Sequence, residues 1–387
     1  MDEIARKDWM AGQFQAQFGQ PPAVWVRAPG RVDLMGSHTD YNQGYVMTMS
    51  IDRDTWIAAR PRSDGQVAIY SLNVPGGGQF GLDRIEHDPH TRWTDYVRGV
   101  AWALQARGCR LEGFDGLVHS TVPFGSGLSS SAALEMAAAV AFQQVSGFTL
   151  DPVEMALAGQ QAENQFVGVA SGILDQYSSM LGRAGRALLL DCCNLTSRTV
   201  PIPPGLKVVI CNTRAERNLA GTEYGERRAQ CEEGVRLLKP FYPQIQALRD
   251  VSLEMLQAHI ADLPPVVAKR CRFIVEENQR VLDLAQALSR GDAGRLCDLL
   301  YASFAGARDL YEISAPAMAA MMAAISCAPG VVGARQAGAG FGGCLVALVE
   351  AAHVAAFAGD VQEEYRRRTG ITPEIYPVES AGGAGVL

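Results

Sequence analysis

The stretch from 123 to 135, Pro-Phe-Gly-Ser-Gly-Leu-Ser-Ser-Ser-Ala-Ala-Leu-Glu, constrains this chain more than any other. Two glycines and three serines run directly into alanine and leucine, so a tight turn must deliver the chain into a helix. The first turn of a helix carries unpaired N–H groups and partial positive charge. Glycine lets backbone close on a ligand, and serine hydroxyls can cap the helix, touch a phosphate or ligate Mg²⁺. Taken alone, the segment reads equally well as a capped helix and as an anion site. A Walker-type phosphate loop is excluded, because Lys7, Lys207, Lys239 and Lys269 all lie outside the glycine-rich segments.

Two further segments tip the balance. One is Ala28-Pro-Gly-Arg-Val-Asp-Leu-Met-Gly-Ser-His-Thr-Asp-Tyr-Asn-Gln-Gly44. The other is Gly338-Ala-Gly-Phe-Gly-Gly343, followed by Cys344-Leu-Val-Ala-Leu-Val349. In this order the three segments resemble the motifs of the GHMP small-molecule kinases, and in particular of the galactokinases. Gly172-Ile-Leu-Asp-Gln176 and the segment from Gly221 to Cys231 carry the resemblance along nearly the whole chain. It implies an α+β, two-domain GHMP kinase fold. Residues 1–200 would form an N-terminal domain like ribosomal protein S5 domain 2, and residues 201–387 a ferredoxin-like C-terminal domain, with the ligands between them. The implied activity is transfer of phosphate from ATP, with Mg²⁺, to the anomeric hydroxyl of a monosaccharide, D-galactose first.

The resemblance also assigns residues. Pro123, Gly125, Ser126, Gly127, Leu128, Ser129, Ser130 and Ser131 fall on the ATP phosphate cradle, and Trp93 on the segment that flanks adenine. A serine of the cradle, Ser131 by analogy, and Glu163 would hold Mg²⁺. Arg31, Ser37, His38, Asp40, Gly172, Asp175 and Tyr224 would face the sugar, with Asp175 the catalytic base and Arg31 its partner. The chemistry of the residues agrees for Asp175: an acid set among apolar neighbours is rarely buried without a partner, and a guanidinium beside it would keep it ionised. Without the resemblance, Glu163 reads as a solvated carboxylate near a helix end, Trp93 as a core tryptophan and Tyr224 as a half-buried tyrosine. Ser37 departs from the family, which typically carries glutamate there, facing the C6 hydroxyl of galactose. Losing that charge brings in D-galacturonate or L-arabinose as alternative substrates, and a non-catalytic sugar sensor on the same scaffold is the alternative of another class.

Composition narrows the setting. A net charge of −7 argues against a nucleic-acid partner. Nine scattered cysteines without a CxxC pair fit reduced thiols in a cytoplasmic protein. No signal-peptide pattern opens the chain. The uncharged run from Ser314 to Ala334 is broken by Pro316 and Pro329-Gly330, which makes it a buried helix rather than a membrane span. No membrane partner is expected, and the resemblance implies the small-molecule sugar and ATP as partners of a monomer or weak dimer.

Pattern reading places strands at 23–28 and 45–60. Ser63-Asp64-Gly65 reads as a hairpin turn between Thr55–Arg60 and Val67–Leu72, and Pro75–Gly78 as a flexible loop. Helices are expected at 93–107, 129–145, 152–166 and 223–238, and a linker at Pro201–Gly205. Strands Val331–Gln336 and Cys344–Glu350 flank the loop 338–343. A dinucleotide-binding fingerprint needs a helix directly after its glycines, so GxGxxG at Gly338–Gly343 does not make a dehydrogenase.

Overall fold

A computed structural model describes residues 2–169, 171–215, 222–338 and 340–387; Gly221 and Ala339 of the sequence motifs lie outside them. The strands are β1 (Val24–Met35), β2 (Tyr45–Arg62), β3 (Gln66–Ser71), β4 (Gly77–Gly81), β5 (Gly113–Ser120), β6 (Arg186–Asp191), β7 (Thr196–Pro201), β8 (Leu206–Asn212), β9 (Val331–Gln336), β10 (Cys344–Glu350), β11 (Glu374–Val378) and β12 (Gly385–Val386). The helices are α1 (Glu3–Phe18), α2 (Thr94–Ala106), α3 (Ser130–Ser146), α4 (Pro152–Gln161), α5 (Leu174–Leu181), α6 (Thr222–Leu238), α7 (Leu253–Ala258), α8 (Pro265–Arg290), α9 (Ala293–Asp309), α10 (Pro316–Ile325) and α11 (Val354–Thr369).

Two sheets organise the chain. The first has the path β12-β1-β2-β5-β3-β4, with β6 paired to β2 and β7 to β6; the second is β11-β8-β10-β9. The chain leaves the first sheet at Pro201 and enters the second at Leu206, across the proline- and glycine-rich segment that composition marked as a linker. Its last residues cross back. Ile51 bridges Ser380, and Val386 pairs with Val26 of β1.

Two local readings are corrected. Ser63–Gly65 does turn the chain, with Gly65 at φ +68°, but no hairpin forms. β5 inserts between β2 and β3, antiparallel to the first and parallel to the second. Gly113 permits this entry, since a Cβ there would lie 2.2 Å from the Gln66 carbonyl oxygen. A turn signal is local and cannot register a strand that arrives 48 residues later, at Gly113. The glycines after Pro75 are likewise not loose, because Gly77 and Gly78 open β4. The Tyr70 ring lies across Gly77, 2.3 Å from where a Cβ would stand, so the missing side chain is what lets the strands approach.

The core explains why α3 is so rich in alanine. It is buried on nearly every side, and small residues let it sit against the first sheet and against α2 together. A single apolar cluster then joins the two sheets: Val32 and Met47 from the first meet Val208, Ile210 and Val346 from the second, with Leu284 of α8 between them. The uncharged segment forms α10, with Met318, Met321 and Ile325 fully buried. No helix among the described residues is long and apolar enough to cross a membrane.

Candidate active site

A cavity of about 330 Å³ gathers most of the residues that the sequence singled out. Arg31, Ser37, His38 and Asp40 come from β1 and the turn after it, and Gly125, Gly127 and Ser129–Ser131 from the serine loop. Glu163, Gly172, Asp175 and Tyr224 complete the set. Trp93, Pro123, Ser126 and Leu128 do not line it. Leu128 is fully buried, its carbonyl accepting a 3.1 Å bond from the Arg31 N–H, and the Ser126 hydroxyl closes the loop on the Pro123 carbonyl at 2.8 Å. Trp93 precedes α2, with its indole nitrogen buried and unpartnered.

The serine loop is shaped by backbone rather than by capping. Gly125, Gly127 and Ser129 all have positive φ, at +67°, +82° and +60°. Alternation of this kind turns successive N–H groups toward one side and builds an anion-binding concavity. Ser129 occupies the N-cap position yet makes no capping bond, and its hydroxyl is buried without a partner. The left-handed backbone of Ser129 is strained, and its orphaned hydroxyl is a buried donor that a phosphate oxygen could satisfy. The loop 338–343 backs this cradle: a Cβ on Gly338 would lie 3.4 Å from the Gly127 carbonyl and one on Gly343 3.2 Å from that of Ser126. It joins two strands, β9 and β10, as the strand reading required.

Arg31 ties three elements together. Its Nε and Nη2 both donate to Asp175 Oδ1, at 2.8 and 2.5 Å, and its Nη1 donates to the Gly127 carbonyl at 2.6 Å. Asp175 stands in the first turn of α5, with its side chain 27% exposed while that of Arg31 is 6% exposed. The pair therefore puts an accessible carboxylate next to the cradle.

The residues expected to face the sugar crowd one another. His38, at φ +67°, is bonded through Nδ1 to the Tyr41 hydroxyl at 2.8 Å, and its ring lies 5.1 Å from that of Tyr224. Asp40 packs on Gly172 so closely that a Cβ there would fall 1.8 Å from Oδ2. Burial, with the charges of Asp175 and Asp33 adding to it, raises Asp40 from 3.8 to about 6. The only strong opposing contact on its own element is the Tyr41 N–H, at 2.9 Å.

Glu163 lies in a π-helical turn, Ala162–Val167, that continues α4, an irregularity common at functional sites. It accepts from Ser131 Oγ at 3.1 Å, Ser171 Oγ at 2.5 Å and Gln176 Nε2 at 2.9 Å. Burial still raises its carboxyl above the ordinary range, so the group is short of positive charge. Hydroxyl and carboxylate oxygens make a hard donor set suited to Mg²⁺, which commonly takes one or two carboxylates plus substrate phosphates. Among the described residues no cluster of three or more His, Cys, Asp or Glu could hold a metal by itself.

Sequence reading passed over Asp33, Ser171 and Arg335. Asp33 also lines the cavity, and Ser37 Oγ donates to its Oδ2. The serine at position 37 therefore does not clear this end of the cavity of negative charge, because a carboxylate stands directly beside it. The available signal was spacing: Asp33 lies two residues beyond Arg31 in one strand, on the same face.

Comparison with known proteins agrees with this geometry. The galactokinase galactose-binding signature matches residues 12–61, the GHMP kinases N terminal domain residues 95–183 and the GHMP kinases C terminal domain residues 284–367. The chain is 46% identical over 373 residues to a galactokinase of Chloroflexus aurantiacus, covering 96% of this chain and 95% of that one. It is 45% identical, with the same coverage, to a galactokinase of Roseiflexus. The crystal structure of Lactococcus lactis galactokinase complexed with galactose superposes with a TM-score of 0.95 at 34% identity, covering 98% of this chain and 99% of that one. Mevalonate kinase of Methanococcus jannaschii shares the fold at a TM-score of 0.64 and 17% identity, over 92% of this chain and 98% of that one. On the motifs, the cavity and these relatives together, the chain belongs to the galactokinase family of GHMP sugar kinases.

Proposed function

We propose that this chain transfers the terminal phosphoryl group of ATP to the anomeric hydroxyl of D-galactose, giving galactose 1-phosphate and ADP. The observation that carries this reading is the Arg31–Asp175 pair in one cavity with the serine loop. Phosphoryl transfer asks for alignment and charge neutralisation more than for covalent chemistry by the protein. Asp175 accepts the proton of the attacking hydroxyl, and Arg31 holds it in position and steadies charge on the transferring group. Asp40 accepts from sugar hydroxyls, His38 and Tyr224 pack on the ring, Ser37 faces the sugar, and Gly172 makes room for Asp40 beside it. The cradle from Pro123 to Ser131 takes the phosphates through its N–H groups and hydroxyls, with Trp93 on the adenine side. Ser131 and Glu163 would hold Mg²⁺, which when bound neutralises charge on the ATP phosphates.

The galactose bound in the Lactococcus lactis protein and the names of the relatives support the choice of sugar. We read the chain as two domains, 1–200 and 201–387, supported by the change of sheet after Pro201. Nine scattered cysteines without a CxxC pair support a reduced, cytoplasmic setting, and a monomer or weak dimer suffices because every residue invoked lies in one chain. The test is phosphorus NMR of a reaction with ATP, Mg²⁺ and galactose. A sugar 1-phosphate is expected; a 6-phosphate alone, or no turnover, refutes the reading.

A further inference from the structure

Asp33 is 1% exposed, yet only one of its two carboxylate oxygens is used. Oδ2 takes the Ser37 hydroxyl and faces Arg335 Nη1 at 3.3 Å, whereas Oδ1 is buried with no hydrogen-bond partner. A buried acceptor left without a donor is costly and demands an explanation. Arg335, of β9, is itself fully buried. It donates to Ser37 Oγ at 2.8 Å and to Ser303 Oγ at 3.0 Å, and lies 3.4 Å from Glu277 Oε1. Glu277 is held in turn by Arg280 Nε at 2.7 Å. Arg335 of the second sheet thus holds one oxygen of the Asp33 carboxylate and leaves the other unspent, on a residue that lines the cavity.

Register says where that oxygen acts. From Arg31 to Asp33, β1 pairs regularly with Ser50, Met49 and Thr48, and the breaks fall on either side. Residues two apart on a regular strand share a face and stand about 7 Å apart. That is roughly the span of a pyranose and its substituents, so a sugar whose reacting hydroxyl sits at Arg31 and Asp175 places another hydroxyl at Asp33. Charge points the same way. Away from the serine loop, Asp33, Asp40 and Asp175 line the cavity with a single guanidinium, that of Arg31. That end suits a neutral polyol and repels an acidic sugar.

We infer that Asp33 is a specificity-determining residue: its Oδ1 accepts a hydrogen bond from a sugar hydroxyl remote from the reacting one, and its charge bars an acidic group from that place. Arg335 is the positioning residue that fixes the acceptor. This rests on the reading of the cavity as a sugar site, which wild-type turnover decides by itself. The comparison of variants decides the role of Asp33.

The experiment measures kcat/KM for D-galactose and its 2-, 3-, 4- and 6-deoxy analogues with wild type, Asp33→Asn and Ser37→Ala. A hydrogen bond to a charged group predicts that one analogue loses about 10- to 150-fold in wild type. For that analogue alone the loss shrinks to within about threefold in Asp33→Asn, the coupling expected of two groups in contact. In Ser37→Ala it persists. If the hydroxyl is that of C6, wild type does not turn over D-galacturonate, and Asp33→Asn narrows the gap to galactose. Because Asn strands part of the charge on Arg335, an unfolded Asp33→Asn is replaced by Asp33→Asn with Arg335→Met, since removing both partners of a buried pair is often tolerated. Equal deoxy-sugar losses in wild type and in the folded variant overturn the proposal and leave Asp33 as a structural partner of Arg335.

Discussion

Asp40 carries the clearest conflict between folding and binding at the level of single residues. A carboxylate raised from 3.8 to about 6 is ionised at neutral pH at a cost that the sugar hydroxyls must offset. Its folded pKa lies above the unfolded one, so the native state holds the extra proton, and stability falls as pH rises from about 4 to 6. Asp40→Asn keeps the acceptor for the Tyr41 N–H and removes the charge. It should stabilise the protein above pH 6, by at most about 3 kcal/mol given 1.4 kcal/mol per pKa unit, and the gain should vanish below about pH 4. Thermal melts of both proteins across that range check this, and a variant less stable at pH 7 contradicts it. The same substitution should weaken sugar binding. For the wild type, KM for galactose should climb as pH drops through 6, while KM for ATP moves little.

At the scale of elements, the central contact is β1 against the serine loop. A Cβ on Gly30 would lie 2.7 Å from the Leu128 carbonyl, the group that accepts from the Arg31 N–H. Gly30→Ala must push the loop away, and displacement by an ångström at a phosphate site costs on the order of 10²-fold. We expect kcat/KM for ATP to fall by about that factor, with galactose binding, followed by isothermal titration, nearly intact. A loss confined to the sugar would show that β1 does not register the cradle. Much of this was legible beforehand. The three motifs, their order, strands β9 and β10 and helix α3 can all be read from residues, because periodicity and glycine placement are local. The insertion of β5 between β2 and β3 was not, since strand order is decided by pairing across the sheet. Nor was the strand at Gly77, where the cause is the ring of Tyr70. The unused oxygen of Asp33 was hidden for a further reason: its clamp, Arg335, lies about three hundred residues away and belongs to the other sheet.

Across the whole molecule, the site exists because separate pieces of chain converge on Arg31. One side chain holds Asp175 of α5 and the carbonyl of Gly127 in the loop before α3, while its own strand shares a core with the second sheet. On the proposed reading, base and phosphate cradle are thereby fixed relative to each other, the pre-organisation that phosphoryl transfer depends on. The apolar cluster shared by the sheets makes the cavity a property of both halves. Asp175 is the point at which the proposed chemistry enters this arrangement.

The most direct measurement is therefore on Asp175→Asn, which preserves size and the contact with Arg31 and removes the base. Loss of a positioned base should lower kcat by about 10²–10⁴. Dissociation constants for ATP and for galactose, measured by titration, should stay within about threefold of wild type, a change below 0.7 kcal/mol. A variant that keeps near-normal kcat would show that the proton leaves by another route, and that the Arg31–Asp175 pair only braces the fold.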